Sequence, residues 1–267
     1  LNDLKNNKVN FIGNPDKRIK EDYLRILRFL RFSIQYRSFE ISEQTKKSIK
    51  LNINGITKLS KERVYNELEK IIKLDNFYDL FKNKFLLEIF NLIFPEFVYI
   101  ERIKKFEKLS KISEIVIDKE LTLASMLLGS SNNHEYFFHK YNVSNETKNN
   151  LNLYAKLLRQ IKSNYDFFSK DLKKNIFFYG KEKIKTMLLI QNIVSNKNLH
   201  PKTKEILSNI KNTLVPKFPV TGNDLLKRGL QSGKEVGEVL KKIEKKWIEN
   251  NFQIQEEEIK SLVKREV

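Results

Sequence analysis

The sequence lacks cysteine, and glycine, proline and histidine are scarce: 8, 5 and 3 of 267 residues. The absence of cysteine excludes disulfide frameworks, thiol catalysis and cysteine-ligated zinc. The histidines show no ligand spacing, which disfavours a histidine-built metal site. We interpret them as structural or surface residues: His134, His139 and His200. No apolar run approaches the roughly 18 residues of a membrane-spanning helix, so the sequence predicts no membrane span.

The charge of the chain is strongly unbalanced, because 51 Lys and Arg stand against 33 Asp and Glu and give a formal net charge of +18. Such an excess favours association with polyanions, among which nucleic acid is the commonest partner and a membrane surface the second. A Lys-, Asn- and Ile-rich bias of the whole proteome would produce the same composition without any ligand. Composition therefore favours nucleic acid and leaves that alternative open.

The scarcity of glycine and proline, together with apolar residues at 3.6-residue spacing, predicts an all-α fold. One exception is residues 8–12, which alternate apolar and polar side chains before Gly13-Asn14-Pro15 and so predict a short strand and a turn. A lone strand has no pairing partner, so we expect it to be the remnant of an upstream α/β head in a longer protein. Helices are predicted at 15–36, 43–51, from 60 onward, 77–94, 96–109, 119–128, 146–162, 166–178, 181–194, 201–213, 234–249 and 255–264.

The first predicted helix carries the most informative charged cluster: Glu21, Asp22, Arg25, Arg28 and Arg31. At about 100° per residue, Glu21, Arg25 and Arg28 share an arc of about 60°. An ordinary solvated face with a Glu-to-Arg i,i+4 pair would explain this pattern. Arginines at three-residue spacing also suggest a phosphate or base ligand, because a guanidinium offers a planar fork where lysine offers a point charge. A neighbouring carboxylate can accept from the exocyclic amine of a base.

This charged cluster and four further segments resemble, in their order along the chain, the motifs of the class II tRNA nucleotidyltransferases. That family comprises the CCA-adding enzymes and their bacterial poly(A) polymerase relatives. The resemblance lies in segments 1–5, 11–15, 18–32, 55–67 and 218–248, and the central one reads Glu-Asp-x-x-Arg-x-x-Arg-x-x-Arg-Phe from Glu21. Asn14 stands where the family usually has Asp. Recognisable motifs cover roughly a third of the chain, and the middle matches only as a generic helical region.

The resemblance implies a role for each residue at a motif position. Asp22 and Arg25 would present a protein template to the incoming base, and Glu21 would orient Arg25. Arg28 and Arg31 would bind the nucleotide at phosphate or ribose. A structural motif would brace the nucleotide-binding helix: Ser60, Glu62, Arg63 and Glu67. At a predicted helix N-terminus, Gly233 and Lys234 are candidate RNA contacts, with close helix packing through Gly233 and Gly237 as the alternative.

The resemblance also implies an elongated array with a head remnant at 1–14, a neck at 15–74, a body at 75–215 and a tail at 216–267. The whole enzyme would work in the cytoplasm, bind tRNA and nucleoside triphosphates, and add CCA to tRNA 3′ ends from CTP and ATP with Mg²⁺. No Asp-x-Asp occurs in the chain. We therefore assign Mg²⁺ and the catalytic residues to the upstream catalytic head domain, and predict no metal site and no activity for this chain alone. The alternatives are a poly(A) polymerase, an A-adding or CC-adding relative, or a non-catalytic helical RNA-binding adaptor.

Overall fold

A computed structural model describes residues 8–112, 115–130, 132–164, 166–195 and 202–264. Within these ranges the regular structure is helical and contains no β-strand, which confirms the all-α prediction. His200 and residues 1–7 lie outside them. The α-helices are α1 Pro15–Glu21, α2 Leu24–Gln35, α3 Glu43–Asn52, α4 Lys61–Ile72, α5 Lys84–Ile93, α6 Phe106–Leu109, α7 Lys119–Leu127, α8 Asn133–Lys140, α9 Asn145–Ser163, α10 Leu172–Tyr179, α11 Lys181–Val194, α12 Thr203–Asn212, α13 Gly222–Lys227, α14 Lys234–Glu249 and α15 Glu256–Lys264. Short 3₁₀ helices cover Ile53–Lys58, Phe77–Lys82 and Ile100–Lys105.

The strand predicted at residues 8–12 is not formed in the described chain. This segment has no regular structure, and the described part of the chain offers no strand to pair with it. The Val9 amide instead donates to the Ser38 hydroxyl at 3.0 Å. The Phe11 ring stacks on Phe29 of α2 with 5.2 Å between ring centroids. Within the described chain the segment is therefore held by a hydrogen bond and by aromatic packing on α2.

Two predicted helices are divided by polar residues that cap a new helix start. The predicted helix 15–36 is broken between α1 and α2, at Asp22 and Tyr23. The predicted helix 77–94 consists of a 3₁₀ helix and α5, separated by Asn83, whose side chain accepts from the Leu86 amide. An Asp or Asn side chain that accepts a backbone N–H offers an alternative to the helical hydrogen bond, so a helix can restart there although the apolar periodicity continues.

Two short helices, α8 and α13, have no counterpart among the predicted elements. The second is fixed by a capping box, in which the Thr221 side chain accepts from the Asp224 amide and the Asp224 carboxylate accepts from the Thr221 amide. Reciprocal capping satisfies two amides that would otherwise be unpaired, which stabilises a helix too short to show a clear periodicity. No helix of the described chain is long and apolar enough to cross a membrane.

The chain forms two compact units, and each has its own core. The first comprises residues 1–163 and 186–200, the second residues 164–185 and 201–267. In the first unit α1 packs on α3, and α2 packs on α4. The apolar face of α2 is fully buried there through Ile26, Leu27 and Leu30. Because this face is buried, the charged residues of the same helix lie on its other side, toward the surface. The candidate site is therefore on that side of α2.

The second unit is built around α14, whose apolar face contacts α13 and α15. Trp247 on this helix is 2% exposed, and three aromatic rings surround its indole, those of Phe177, Phe218 and Phe252. An aromatic side chain buried in this way contributes to the core and is not available as a platform for a base.

Candidate functional site

Asp22 lies in the break between α1 and α2. Its backbone is extended, with φ −156° and ψ 106°, and its Oδ1 accepts from the Leu24 amide at 3.1 Å. The carboxylate therefore caps the start of α2. Because Asp22 lies outside both helices, it is not held on the helical arc that the sequence predicts for Glu21, Arg25 and Arg28.

Arg63, in the first turn of α4, is the ion-pair partner of Asp22. Its Nη2 donates to Oδ1 and to Oδ2, each at 3.0 Å. Ser60 caps α4 by accepting from the Arg63 amide at 3.3 Å. Two motifs that are 41 residues apart in sequence thus meet at one carboxylate.

Arg25 is held by groups of α1. Its Nη1 donates to Glu21 Oε2 at 2.6 Å and to the Arg18 carbonyl at 2.7 Å. Arg18 also donates to Glu21 Oε2, at 2.7 Å. The hydrogen bond from Arg25, helped by the charge of Arg18, keeps the pKa of Glu21 below its usual value. Glu21 is therefore a carboxylate at neutral pH and fixes one end of the Arg25 guanidinium.

Asp22 and Arg25 each keep hydrogen-bonding groups that no described residue uses: Asp22 an acceptor and Arg25 several donors. A carboxylate has about four acceptor positions and an arginine five N–H donors. Among the described residues Asp22 Oδ2 accepts only from Arg63, so it keeps one acceptor position. Arg25 uses only Nη1, so its Nε–H and Nη2 groups have no partner in the described chain. One acceptor next to several donors complements the amine and the ring acceptors on the edge of cytosine or adenine.

The other two arginines of the predicted site differ sharply from each other. Arg28 is exposed and has no hydrogen bond or ion pair with another described residue. Arg31 donates from Nε to Glu67 Oε1 at 2.5 Å, and its guanidinium lies 4.1 Å above the Phe32 ring. The Glu67 side chain is only 3% exposed. Arg28 is thus free for a ligand, whereas Arg31 neutralises a buried carboxylate.

The pairing of Arg31 with Glu67 was missed by sequence reasoning, although the sequence contains a signal for it. Glu67 lies at helical spacing from Val64, Leu68 and Ile71, so it falls within the apolar stripe of α4. A carboxylate in a buried stripe needs a cation. Searching the chain for that cation would have pointed to the arginines of the neighbouring helix.

Glu62 connects the start of α4 with a distant loop. Its Oε1 accepts from Asn142 Nδ2 at 2.6 Å. Its own backbone amide and Asn142, in that order, lower the pKa of the Glu62 carboxyl group. Glu62 does not contact Asp22 or Arg25 directly through any hydrogen bond of the described chain, so within the predicted structural motif it is Arg63 that reaches the site.

Comparison with known proteins identifies the family. Residues 116–263 match the model of a putative second domain of tRNA nucleotidyltransferases, and residues 38–100 match that of the probable RNA- and SrmB-binding site of polymerase A. The chain belongs to the class II tRNA nucleotidyltransferase family that includes the CCA-adding enzymes. The resemblance inferred from the motifs is therefore confirmed.

Members of this family align with nearly all of the chain. The mitochondrial CCA tRNA nucleotidyltransferase 1 of Mus musculus is 30% identical over 98% of the chain and 60% of the relative. The CCA-adding enzyme of Staphylococcus haemolyticus is 29% identical over 97% of the chain and 64% of the relative. The chain thus spans about 60% of the length of these nucleotidyltransferases.

Solved nucleotidyltransferase structures share the fold. The CCA-adding enzyme of Bacillus stearothermophilus, solved in complex with CTP, superposes with a TM-score of 0.63 at 17% identity, over 99% of the chain and 67% of that structure. The Thermotoga maritima enzyme, solved with tRNA, gives a TM-score of 0.54 at 21% identity, over 99% and 65%. At these identities the likeness concerns the fold alone.

The Mg²⁺ that this nucleotidyltransferase family implies does not fit the described residues. No group of three or more His, Asp or Glu side chains in them could hold a metal ion. The carboxylates of the site, Glu21 and Asp22, are each engaged by arginine, which competes with a cation. No step of catalysis is therefore assigned to a metal held by these residues.

The glycine-rich segment of the second unit shows an open backbone. Gly229 and Gly233 have φ of 99° and 152°, and no atom within 4 Å would meet a Cβ at Gly233 or at Gly237. Gly233 and Gly237 therefore do not serve close packing between helices. Lys234 is the first residue of α14, and its side chain is 93% exposed. Its Nζ lies 3.8 Å from Glu238 Oε1. An RNA contact at Gly233 and Lys234 stays a prediction.

Proposed function

We propose that this chain is the nucleotide-selecting and tRNA-binding part of an enzyme that adds CCA to tRNA 3′ ends from CTP and ATP. The relatives named CCA-adding enzymes support the reaction class. In this proposal residues 15–74 form the neck that selects the base, 75–215 the body and 216–267 the tail. The family resemblance implies an upstream head domain, which would hold Mg²⁺ and supply the catalytic residues. We propose that the whole enzyme works in the cytoplasm.

The observation that carries the proposal is the arrangement around Asp22 and Arg25. Asp22 is fixed by Arg63 and by the Leu24 amide, and Arg25 is fixed by Glu21 and the Arg18 carbonyl. Each retains hydrogen-bonding capacity toward a ligand. A fixed acceptor and a fixed donor can select cytosine and adenine, which both place an exocyclic amine beside a ring-nitrogen acceptor on the Watson–Crick edge. Uracil and guanine place a carbonyl beside a ring N–H at the same positions, so they would not match. Arg28, which is exposed and unpaired among the described residues, is proposed to contact phosphate or ribose.

The net charge and the solved complexes of relatives support the second half of the proposal. An excess of 18 positive charges favours the phosphate backbone of RNA, which is read mainly through its shape and charge. One structural neighbour was solved with tRNA and another with CTP. We propose the same two ligands for the whole protein that contains this chain.

The test is nucleotide addition to a tRNA transcript lacking CCA, using the full-length protein with Arg25→Ala. Addition of both C and A should fall by about 10- to 100-fold, which corresponds to about 1–3 kcal/mol for a lost base contact. Binding of tRNA should change little. Lys17→Ala on α1 is the matched control, because Lys17 is exposed and only its backbone amide makes a hydrogen bond, to Asn14.

The same assay separates the alternatives. CTP and ATP together should extend the transcript by C, C and A. Extension with ATP alone to a long tail would indicate a poly(A) polymerase, and single additions of one base would indicate an A-adding or CC-adding relative. An unaltered reaction in Arg25→Ala would make Arg25 a surface ion-pair residue and refute the template role. No addition by the wild-type full-length protein would leave a helical RNA-binding adaptor.

A further inference from the structure

A small basic cavity lies in the first unit, where the loop after α7 meets the start of α8 and the last turns of α9. Its volume is about 90 Å³, several times the roughly 10–15 Å³ that one water molecule needs. Its walls include Gly129, Ser130, His134, Arg159 and Lys162. Among the described residues that line it, none is acidic. Its size suits one charged group and is well below the 300–1,000 Å³ that encloses a drug-sized ligand.

His134 is the buried polar group of this cavity. The residue is 6% exposed, and its Nδ1 is enclosed without any hydrogen-bond partner. Burial lowers the pKa of His134, so the ring is neutral at physiological pH. An enclosed N–H without an acceptor is costly, which favours the tautomer that carries the proton on Nε2. The ring then offers an Nε2–H donor without a partner in the described chain.

Two cations and a helix start complete the site. Arg159 and Lys162, one helical turn apart on α9, are exposed and have no ion-pair partner among the described residues. Helix α8 begins without a side-chain cap, and of its first three amides only that of Glu135 has an acceptor among the described residues, the Asn132 carbonyl at 3.0 Å. Uncapped amides at a helix start favour an anion.

The wall formed by Leu128, Gly129 and Ser130 is held in place by Tyr99 and Arg102. Arg102 Nη1 donates to the Leu128 carbonyl at 2.5 Å, and the Tyr99 hydroxyl accepts from the Ser130 amide at 3.2 Å. A Cβ at Gly129 would come within 2.2 Å of the Tyr99 ring, so only glycine permits this approach. The backbone from Leu128 to Ser130 is therefore positioned before any ligand arrives, which lowers the entropic cost of binding.

We propose that this cavity is a phosphate-binding pocket, in which His134, Arg159 and Lys162 receive one backbone phosphate of RNA. A phosphate group matches the small volume, the positive walls and the unpaired donors. The assignment of that phosphate to RNA rests on the proposed tRNA-binding function. Binding of inorganic phosphate does not, so the two can fail separately.

The first measurement is a titration of the chain, labelled with ¹³C-histidine, with inorganic phosphate at constant pH and ionic strength. Because the chain has three histidines, the His134 ring signals can be assigned by substitution. We expect a saturable shift of His134 and none of His139. The shift should vanish in Arg159→Gln/Lys162→Gln. It should persist in Lys148→Gln/Lys156→Gln, which removes the same charge from the same helix away from the cavity.

The second measurement is binding of a tRNA transcript to the same two double variants as salt is varied. If the pocket receives a backbone phosphate, the pocket variant should reduce the slope of log K against log salt by about one more than the control variant does. If both variants reduce the salt slope equally while phosphate still shifts His134 in the wild-type chain, the pocket binds free phosphate and the RNA contact is refuted. Absence of a saturable phosphate shift would refute the pocket altogether. Variants of Asp22 or Arg25 should leave the His134 shift unchanged.

Discussion

Arg63 Nη2 donates to both carboxylate oxygens of Asp22, at 3.0 Å each, across 41 residues of sequence. The family resemblance implies different tasks for these residues, base recognition for one and structure for the other. Their contact would link the two tasks, because the carboxylate proposed to accept from a base is held by the arginine proposed to brace the helix. Asp22 remains 23% exposed, so the pairing leaves it accessible.

Removal of Arg63 should affect nucleotide selection more than stability. The ion pair is partly exposed on both sides, at 48% and 23%, and pairs of this kind contribute about 0.2–1 kcal/mol. Arg63→Ala should therefore shift the free energy of unfolding by less than about 1 kcal/mol. In the full-length protein it should reduce correct C and A addition and increase misincorporation, since Asp22 loses the group that orients it.

A double-mutant cycle with Asp22→Asn and Arg63→Ala separates this link from two independent effects. Coupling in the nucleotide-addition assay is expected, because the variants act through the same contact. Strictly additive losses would contradict a positioning role of Arg63. Lys61→Ala, in the same turn of α4, serves as a control that keeps the Asp22 contact.

Arg31 should prove more important for stability than for ligand contact. Its Nε donates to Glu67, whose side chain is 3% exposed, and Lys70 approaches the same carboxylate only at 3.4 Å. Breaking a buried pair is strongly destabilising, and Lys70 replaces only part of the lost partner, so Arg31→Ala should lower the free energy of unfolding by about 3 kcal/mol. Arg28→Ala, one turn earlier and exposed, should change it by less than about 0.5 kcal/mol. Urea unfolding of both variants measures the difference, and equal stabilities would show that Arg31 is not structural.

The positions of the helices followed from the sequence where apolar periodicity and caps agree. The bounds of α11 and α14 are as predicted, and α4 begins directly after Ser60, where a helix was predicted from residue 60 onward. The break at Asp22 did not follow, because the apolar spacing continues through it while a single side chain decides the restart of the helix. Periodicity describes a buried face and carries no information about which polar residue turns to the backbone.

The sequence named the residues of the candidate site but not their contacts. The family resemblance singled out Asp22, Arg25 and Arg63, because its motifs are visible in one sequence. The pairing of Arg31 with Glu67 depends on the packing of α2 on α4, which joins positions 36 residues apart. The pocket at His134 had no sequence signal, since its walls come from two separate segments, 128–134 and 155–162.

Asp79 should make the stability of the chain sensitive to acid. Burial raises the pKa of its carboxyl group, but the ion pair with Lys82 and the hydrogen bond from Arg37 outweigh that effect and keep the pKa below its usual value. A lowered pKa in the folded state stabilises the fold above the unfolded pKa, and this contribution is lost as the pH falls. The stability difference between wild type and Asp79→Asn should thus be largest at neutral pH and shrink below about pH 4.

Chemical unfolding at several pH values tests this expectation. Asp75→Asn is the matched control, because Asp75 is exposed and has no hydrogen bond or ion pair with a described residue. Its stability difference from wild type should be small at every pH. A constant difference for Asp79→Asn from pH 7 to pH 3 would contradict the role assigned to the ion pairs with Arg37 and Lys82.

Gly55 should not tolerate a methyl group, whereas Gly237 should. A Cβ at Gly55 would lie 2.1 Å from the Tyr23 ring, so alanine there must displace the aromatic residue next to Asp22. Overpacking of this kind destabilises by about 1–3 kcal/mol. Gly237 lies inside α14 and a Cβ there meets no atom within 4 Å, so Gly237→Ala should stabilise by about 0.5–1 kcal/mol through its better helix propensity.

Urea unfolding of the two alanine variants, followed by nucleotide addition with Gly55→Ala in the full-length protein, tests both the packing and its consequence. Since Tyr23 directly follows Asp22, its displacement should disturb the carboxylate and reduce C and A addition together with stability. A Gly55→Ala protein with wild-type stability and wild-type addition would show that the Tyr23 ring can move without affecting Asp22. The break between α1 and α2 would then tolerate changes at its flank, and the close Gly55 contact would not be required for base selection.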